Sequence, residues 1–570
     1  MSQLRLAGLL LVLCLILISQ TAPARETRLY LPTDNKWVNS ALVKTGNGLI
    51  KGFADKESTW CWRGIPYAAP PVGALRWKAP VDHGPWPGIR DARKFGSASA
   101  QLLPVLGPKG SEDCLYLNIW RPKSDETGLP VYLFIHGGGN SIGSGSSRDY
   151  YGNNMASKSR VVYVTVNFRL GVLGWFRHPA VTGTGSMADQ SGNFGTLDLI
   201  KALEWVQKNI AAFGGDPGNV TIAGESGGAM DVLSLLTSSP AKGLFHRAVA
   251  ESGLSLTFSP AEAERRSKML LDSLLVADGR AVSMKEAEQI VAKMPVSEIA
   301  SYLHSKSPVE LMKRIPTIVG GMADWPCIIT DGYVLPETGY AVFAAGSWAN
   351  KVPLIIGVNK DEMKLFRFLL KNPAPGTRNY EILSRYQSLL WRVSGLDSVA
   401  NAITSNGLTP PVYAYRFDWG SPDHSGASVL PKKMGAVLGA NHYAEIPFFI
   451  GGGRNQLSVL TGSTYSRANR PGREKLTGLC SSYLANFAWT GNPNNNDLPG
   501  WEPWSPVAGA NKFIILDANY QDIKTSKGFD NLSANSVIKL MKTELSATEL
   551  AEILNWLKGP IPFGLDGSRK

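Results

Sequence analysis

The sequence lacks several features that would assign it to particular classes of protein. Its basic residues are scattered, and no block of five or six like charges accompanies the net charge of +12, so a nucleic-acid-binding segment is not indicated. No cluster of histidine, cysteine and acidic residues has metal-ligand spacing, and no dinucleotide-binding glycine motif is present. We therefore expect no nucleic-acid partner, no metal ion and no other cofactor.

Cysteine is also scarce, with five in 570 residues. Cys14 lies in an apolar N-terminal segment, which leaves Cys61, Cys114, Cys327 and Cys480. Four cysteines allow three disulfide pairings, between which the sequence does not choose. Free, buried thiols are an equally good expectation for a chain of this size.

The N-terminal segment has the features of a secretory signal peptide. Arg5 supplies a positive charge, Leu6 to Ile18 is almost wholly apolar, and Ala22-Pro23-Ala24 offers small residues for cleavage. The apolar run is shorter than the roughly 20 residues that a transmembrane helix needs. We predict that residues 1–24 are removed on export to the periplasm or the medium, without stable membrane insertion.

The rest of the chain alternates strand-like and helix-like segments. Short apolar runs rich in β-branched residues occupy 131–135, 161–166, 220–223 and 353–358, whereas 197–210 has apolar residues at helical spacing. Continuous apolar strands separated by helices predict a mostly parallel sheet covered by helices on both faces, which defines the α/β class.

Two regions interrupt this alternation. The segments near 260–320 and 364–410 are charged, have helical periodicity and contain few strand signals. We predict that they are helical insertions over the C-terminal edge of the sheet. With these insertions, residues 25–570 are expected to form a single domain.

A candidate nucleophile lies between a strand and a helix. Residues 224–228 read Gly-Glu-Ser-Gly-Gly and fit G-x-S-x-G, with the strand 220–223 before them and a helix-like run, 229–236, after them. This context is the one in which a serine is placed on a strained turn above the sheet. Ser226 is therefore predicted as the nucleophile, and Glu225 is expected to add negative field near it.

A second glycine motif directly follows the strand 131–135. Residues 136–139 read His-Gly-Gly-Gly, the pattern of an oxyanion hole that accompanies a nucleophile elbow. Backbone amides aimed at the developing oxyanion stabilise it, and losing one donor costs about 2.7–4 kcal/mol. We predict the amides of Gly138, Gly139 and Gly227 as the donors.

Further motifs, in fixed order, give the sequence its family resemblance. It resembles the type-B carboxylesterase family, which includes the cholinesterases, and the resemblance implies the α/β-hydrolase fold. The matching motifs span residues 64–448 and comprise Gly64–Gly73, Glu112–Asn118, the glycine loop, Asn167–Gly171, Phe213–Pro217 with the nucleophile motif, Asp331–Pro336, Gly357–Glu362 and Gly439–Phe448.

The resemblance implies a Ser-Glu-His triad, which falls on Ser226, Glu362 and His442. The order serine, acid, histidine is that of α/β-hydrolases. Asp361 is the rival acid. Of the seven histidines only His424 and His442 follow Glu362, and order alone does not choose between them; the family's Gly-Ala-x-His motif selects His442.

The sequence departs from the family in three places. Gly227 stands where the family usually has alanine, which leaves the backbone amide unaffected. The segment 95–101 contains serine where the usual partner of Cys114 is expected, so we expect that disulfide to be absent. The short loop 102–110 has no aromatic residue to hold a choline cation, so choline esters are not expected as substrates. Ser252 matches a family serine behind the triad, although a simple turn role explains it equally well.

These observations predict a serine carboxylic-ester hydrolase for small-molecule esters with an apolar or aromatic part. Phe366 and Trp325 are the predicted substrate-binding residues, with Phe368 and Trp391 as further candidates for the cleft wall. An amidase or carbamate hydrolase with the same triad, a lipase with a mobile lid, and a non-catalytic binding module on the same fold are the alternatives. The sequence leaves the natural substrate and the oligomeric state open.

Overall fold

An eleven-stranded sheet organises the computed structural model, which describes residues 36–405, 407, 410–451 and 464–557. The predicted signal peptide, residues 1–24, lies outside the described residues. The strands are, in chain order, β1 Leu42–Thr45, β2 Gly48–Lys51, β3 Phe53–Asp55, β4 Thr59–Pro66, β5 Ile89–Asp91, β6 Gln101–Leu103, β7 Gly107–Lys109, β8 Tyr116–Pro122, β9 Leu129–Ile135, β10 Val162–Val166, β11 Gly215–Glu225, β12 Arg247–Glu251, β13 Leu354–Asn359, β14 Val412–Phe417, β15 Phe513–Ala518 and β16 Ile523–Gly528.

The main sheet is parallel in its centre and antiparallel at its edges. Its strand order is β16-β15-β14-β13-β12-β11-β9-β10-β8-β4-β3. The seven strands from β10 to β15 in this order run parallel to one another, and the outer pairings are antiparallel. The central strands β9, β10 and β13 are buried along their whole length, as expected for strands covered on both faces. The predicted α/β class and α/β-hydrolase architecture are confirmed.

Helices cover both faces of the sheet. In chain order they are α1 Asn153–Ser159, α2 Gly171–Gly174, α3 Pro179–Thr182, α4 Met187–Ser191, α5 Phe194–Asn209, α6 Gly227–Thr237, α7 Pro260–Ala277, α8 Met284–Val291, α9 Val296–Ser305, α10 Pro308–Lys313, α11 Ala341–Ala344, α12 Glu362–Leu370, α13 Arg378–Arg392, α14 Ser398–Thr404, α15 Lys432–Val437, α16 Ile446–Phe449, α17 Arg470–Thr490, α18 Ala534–Glu544 and α19 Ala547–Trp556.

The side chains of β9 show how the core divides. Val131, Leu133 and Ile135 belong to one large apolar cluster, and the alternate residues Tyr132 and Phe134 belong to another. Because side chains of a strand point alternately to opposite faces, these two clusters lie on opposite sides of the sheet. Helices α5 and α6 contribute to the first cluster and α17 to the second.

The two segments considered as insertions hold many helices. Residues 260–313 form α7 to α10, and residues 362–404 form α12 to α14, with one π-helical turn, Val393–Asp397, between the last two. Serine caps begin several of them; Ser259 accepts a hydrogen bond from the amide of Glu262 ahead of Pro260 in α7. Helix ends at Lys313, so the remainder of 260–320 is not helical.

The four cysteines outside the N-terminal segment form no disulfide with one another. Cys61, Cys114 and Cys480 are buried, and Cys327 is half-buried. None of the three possible pairings is therefore formed, and the expected absence of a bridge to Cys114 holds. In the described part of the chain, no helix has both the length and the apolar character needed to cross a membrane.

Candidate active site

Ser226 lies on the sharp turn between β11 and α6. Its backbone has φ 56° and ψ −118°, a conformation that non-glycine residues rarely adopt and that marks a strained position. A Cβ on Gly224 would lie 2.5 Å from the Gly228 carbonyl oxygen, and one on Gly228 would lie 2.1 Å from the Ile135 oxygen. Glycine on both sides of the serine is thus a steric requirement of the turn.

The glycine loop after β9 packs against this turn. His136 is buried and stacks on Phe168 with ring centroids 4.8 Å apart. Burial lowers the pKa of His136 to about 4, so its ring is neutral near pH 7. A Cβ on Gly227 would lie 2.9 Å from the amide nitrogen of Gly139, which puts the loop in contact with the first residue of α6.

The three predicted oxyanion donors are not equally placed. Gly139 and Gly227 line one pocket together with Ser226. Gly138 is absent from that lining among the described residues, and its carbonyl oxygen accepts hydrogen bonds from the amides of Ser141 and Ile142. Gly138 also has φ 108°, a left-handed value suited to glycine.

His442 and Glu362 form a short, buried hydrogen-bonded pair. The His442 Nδ1 atom lies 2.5 Å from Glu362 Oε2, and both side chains are buried. The other carboxylate oxygen of Glu362 accepts a hydrogen bond from the amide of Asn359 at 2.8 Å. Glu362 begins α12 just beyond the carboxyl end of β13, so the sheet itself fixes its position.

The rival residues of the sequence analysis lie elsewhere. Asp361 forms an ion pair with Lys364 at 3.1 Å and accepts a hydrogen bond from the amide of Ala440, so it supports the loop before His442. His424 is exposed to solvent. The structure thus brings Glu362, and not Asp361, to the imidazole of His442.

The second ring nitrogen of His442 faces Glu225. Its Nε2 atom lies 3.1 Å from Glu225 Oε1, without the geometry of a hydrogen bond. Within the described residues no hydrogen bond joins the Ser226 hydroxyl to His442. Nucleophile–base hydrogen bonds are often long or misaligned without substrate and tighten in the complex, so this conformation is compatible with a catalytic pair.

Four buried glutamates lie behind the nucleophile, and we call them the rear carboxyl layer: Glu225, Glu251, Glu362 and Glu445. Glu225 and Glu251 are register partners on β11 and β12. Burial, followed by the neighbouring Glu445, raises the pKa of both well above the usual range. Burial and the neighbouring Glu362 raise the pKa of Glu445 to about 7.

Ser252 and Asn359 bind into this layer. The Ser252 hydroxyl donates a hydrogen bond to Glu445 Oε1 at 2.6 Å, and the Asn359 side-chain amide donates to the other oxygen of Glu445. Ser252 thus has a contact behind the triad as well as a place in a turn. The sequence analysis singled out Glu225 and Ser252 but missed Glu251, Asn359 and Glu445.

An apolar cavity of about 110 Å³ opens in front of Ser226, and we call it the front pocket. Both predicted substrate-binding residues, Phe366 and Trp325, line it, and so does Trp391, whereas Phe368 does not. The lining residues are Gly139, Ser226, Gly227, Met230, Leu254, Leu256, Phe258, Ile318, Val319, Met322, Ala323, Trp325, Cys327, Phe366 and Trp391.

Aromatic rings connect the front pocket to the imidazole. The rings of Phe366 and Trp391 are stacked 5.6 Å apart, and each lies 4.9 Å from the ring of His442. The Trp325 indole donates a hydrogen bond to the Trp175 carbonyl oxygen at 2.6 Å, which fixes its orientation. The pocket therefore borders the nucleophile, the glycine loop and the neighbours of the histidine.

Comparison with known proteins agrees with this architecture. Residues 39–389 match the model of the carboxylesterase family. The chain is 32% identical over 515 residues to the para-nitrobenzyl esterase of Bacillus subtilis, covering 84% of this chain and 95% of that protein. It is 30% identical over 518 residues to carboxylesterase 1D of Rattus norvegicus, covering 81% and 86%.

A shorter but closer match and two solved structures complete the comparison. The chain is 39% identical over 331 residues to the fumonisin B1 esterase of Sphingopyxis macrogoltabida, 56% of each chain. A solved para-nitrobenzyl esterase superimposes with a TM-score of 0.64 at 28% identity, covering 86% of this chain and 97% of that one. A carboxylesterase of Geobacillus stearothermophilus gives 0.65 at 30% identity, covering 85% and 98%.

Proposed function

Because the chain belongs to the carboxylesterase family and is a carboxylic-ester hydrolase of the serine type, we propose that it acts through an acyl-enzyme on Ser226. His442 is the general base in this proposal, and Glu362 is its partner. The observation that carries the assignment is the 2.5 Å contact between His442 and Glu362 beside the strained Ser226 turn. No described residue pair offers a comparable arrangement around this serine.

The first half of the reaction forms the acyl-enzyme. His442 Nε2 takes the proton of the Ser226 hydroxyl as the oxygen attacks the ester carbonyl carbon. Glu362, on the opposite ring nitrogen, orients the imidazole and stabilises its cation. His442 then returns the proton to the departing alkoxide, so that an alcohol leaves and the acyl group stays on Ser226.

The oxyanion formed in this step needs donors on the front side of Ser226. Gly139 and Gly227, whose amides are the proposed donors, line the front pocket, and Gly227 is the first residue of the 11-residue helix α6. Both the amide and the helix N-terminus favour negative charge there. Gly138 as a third donor stays a prediction.

The second half of the reaction releases the acid. Water enters the site vacated by the alcohol, His442 takes a proton from it, and the resulting hydroxide attacks the acyl carbonyl. The tetrahedral intermediate collapses, the Ser226 oxygen recovers its proton from His442, and a carboxylic acid leaves. No step requires an atom beyond these residues, the ester and water.

The front pocket supports a preference for esters with an apolar or aromatic part. Among the described residues that line it, none is charged, and four are aromatic: Phe258, Trp325, Phe366 and Trp391. Burial of an apolar group against such a wall contributes roughly 25 cal/mol per Å² of apolar area. A small apolar group therefore gains affinity here that a charged group does not.

Export is a separate part of the proposal. Residues 1–24 are proposed to be a cleaved signal peptide, on the strength of their charge, apolar run and small residues alone. N-terminal sequencing of the protein recovered from outside the cytoplasm should find a chain that begins near Arg25. A mature protein that still carries Met1 would contradict this.

The catalytic assignment is tested with a matched pair of substrates. The purified protein and its Ser226→Ala variant are compared on a short-chain aryl ester and on the amide with the same acyl and aryl groups. We expect cleavage of the ester and a loss of kcat on the order of 10⁶-fold in the variant, since the triad acts as a unit. Cleavage of the amide at a similar rate would move the assignment to an amidase.

The matched control is Ser238→Ala, which removes another buried serine hydroxyl at the end of the same helix. Its ester hydrolysis should stay close to that of the unmodified protein. Failure of the folded protein to cleave any ester or amide would overturn the catalytic proposal and favour a binding module.

A further inference from the structure

One buried hydrogen bond joins the glycine loop to the helix that follows the nucleophile. The Asn140 side-chain amide donates to Asp231 Oδ1 at 3.0 Å. Asn140 directly follows Gly139, and Asp231 lies on α6, five residues after Ser226. Both side chains are buried, at 2% and 0% exposure. The bond thus connects the two elements that supply the oxyanion donors.

The reaction described above uses neither of these residues. The remaining oxygens, Asp231 Oδ2 and Asn140 Oδ1, have no hydrogen-bond partner among the described residues. Burial raises the pKa of Asp231 well above its usual range, and its hydrogen bond with Asn140 only partly offsets this. An unpaired carboxyl group in such a place is costly, so its one partner indicates where it acts.

The backbone of Asn140 is fixed from three sides. Its φ of 54° is in the left-handed region, which asparagine tolerates better than most residues. Its carbonyl oxygen accepts a hydrogen bond from the amide of Gly171 at 2.6 Å. Its side chain is held by Asp231, and its amide nitrogen lies 2.9 Å from the position that a Cβ on Gly227 would occupy.

Gly227 makes this close approach possible. Alanine at this position would place its methyl group 2.9 Å from the amide nitrogens of both Gly139 and Asn140. That distance is shorter than real Cβ contacts, so the loop would have to retreat from Ser226. The loop position in this chain therefore combines a missing side chain at Gly227 with the bond to Asp231.

We propose that Asp231 is a positioning residue for the oxyanion hole, which holds the amide of Gly139 beside Ser226 through its hydrogen bond to Asn140. This inference rests on the proposed function, because it assumes that Gly139 is an oxyanion donor. The carboxyl group acts as a hydrogen-bond acceptor, and it touches neither the substrate nor the reacting atoms.

The test compares Asp231→Ala with Asp231→Asn. Alanine removes the acceptor, and we expect kcat for the aryl ester to fall roughly ten- to a hundredfold, below the loss of a whole oxyanion donor, with little change in KM. Asparagine keeps an oxygen at the same place, and we expect its kcat to stay within about threefold of the unmodified protein.

The second readout separates positioning from a general structural role. An aryl trifluoromethyl ketone, to which the Ser226 oxygen adds to form a tetrahedral oxyanion, is compared with the corresponding methyl ketone. Asp231→Ala should weaken binding of the trifluoromethyl ketone by the same factor by which it lowers kcat/KM. Binding of the methyl ketone should not change, since only the trifluoromethyl ketone forms the oxyanion that the oxyanion hole stabilises. Equal weakening of both ketones would overturn the inference.

Two controls keep the outcome decisive. Thr237→Val removes a buried side-chain hydrogen bond from the same helix and should change neither kcat nor inhibitor binding. Asn140→Ala removes the donor of the same hydrogen bond. The double variant with Asp231→Ala should therefore lose no more kcat than the more impaired of the two single variants. If Asp231→Ala does not fold, Asn140→Ala carries the same expectation.

Independent losses in the double variant, or an asparagine variant as impaired as the alanine one, would overturn the positioning role. Failure of this inference is distinguishable from failure of the proposed function. In the first case ester cleavage still depends on Ser226 while Asp231→Ala is unimpaired, and in the second Ser226→Ala remains active.

Discussion

The two sides of Ser226 differ in kind. Behind it, the rear carboxyl layer holds four buried glutamates, Glu225, Glu251, Glu362 and Glu445, and two of them, Glu225 and Glu362, contact the imidazole of His442. In front of it, no charged residue is found among the described residues that line the front pocket. Under the proposed mechanism, proton transfer and substrate choice therefore rest on separate sets of residues, which meet at Ser226 and at the aromatic neighbours of His442.

The two sides also differ in what they do for stability. Removing carboxyl groups from water is unfavourable unless they are protonated or well hydrogen-bonded, so the rear layer costs folding free energy. Burying the apolar walls of the front pocket contributes favourably. Changes at the rear should therefore alter rate and pH dependence, whereas changes at the front should alter KM.

The largest effect is expected at the rear, from Glu362→Gln. The amide cannot stabilise the imidazolium and favours the wrong tautomer, so kcat should fall on the order of 10⁴-fold with little change in KM. Asp361→Asn is the matched control, because Asp361 bonds to Lys364 and Ala440 and not to His442. It should lose less than about tenfold in kcat, since the asparagine oxygen still accepts the hydrogen bond from the amide of Ala440. Equal losses of kcat in the two variants would contradict the assignment of Glu362, and not Asp361, as the partner of His442.

A smaller effect is expected at the front, from Leu256→Ala. Leu256 is half-buried and lines the pocket, so its truncation should raise KM for an aryl or long-chain ester about tenfold, corresponding to about 1.4 kcal/mol of lost apolar contact. The value of kcat and the rate with a short acetyl ester should change little. Leu244→Ala, another half-buried leucine that is absent from the lining, serves as control. A fall in kcat without a change in KM would show that the two sides are not separate.

The smallest expected effect concerns pH and Glu445. The folded protein holds this proton until about pH 7, whereas the carboxyl group has an ordinary value of 4.5 when exposed. Since the folded pKa is the higher one, the stabilising contribution is complete below pH 4.5 and is lost as the pH rises through 7.

Urea unfolding from pH 4.5 to 8 measures this contribution. The free energy of unfolding of the unmodified protein should fall with rising pH relative to that of Glu445→Gln, which has no proton to lose at this position. Parallel curves for the two proteins would mean that Glu445 does not titrate in this range.

Local sequence patterns were sufficient to predict the central strands of the sheet. The apolar runs at 131–135, 220–223 and 353–358 are the central strands β9, β11 and β13, because strands buried on both faces must be apolar throughout. The turn at Ser226 was predictable from its local motif, although only Gly224 is required by a contact within a few residues, and Gly228 is required by the distant Ile135 carbonyl oxygen. The pairing of Glu362 with His442 needed the family motifs as well.

The contacts that the sequence did not reveal join residues far apart in the chain. Glu251 and Glu445 are 194 positions apart, and each looks like an ordinary surface glutamate until the fold buries it. The bond between Asn140 and Asp231 spans 91 positions and follows from the way the loop and helix α6 pack. In the pocket wall formed by residues 318–327 only Trp325 was predicted, since that segment has neither helical nor strand periodicity.

Labelling with an aryl fluorophosphonate tests the central claim most directly. The Ser226 oxygen should attack phosphorus, fluoride should leave, and His442 should take the serine proton. The account predicts one phosphonyl group per folded chain, located by mass spectrometry on the peptide that contains Ser226, with ester hydrolysis lost in proportion and no labelling of Ser226→Ala. Full labelling at another residue, or hydrolysis that persists after Ser226 is fully labelled, would contradict it.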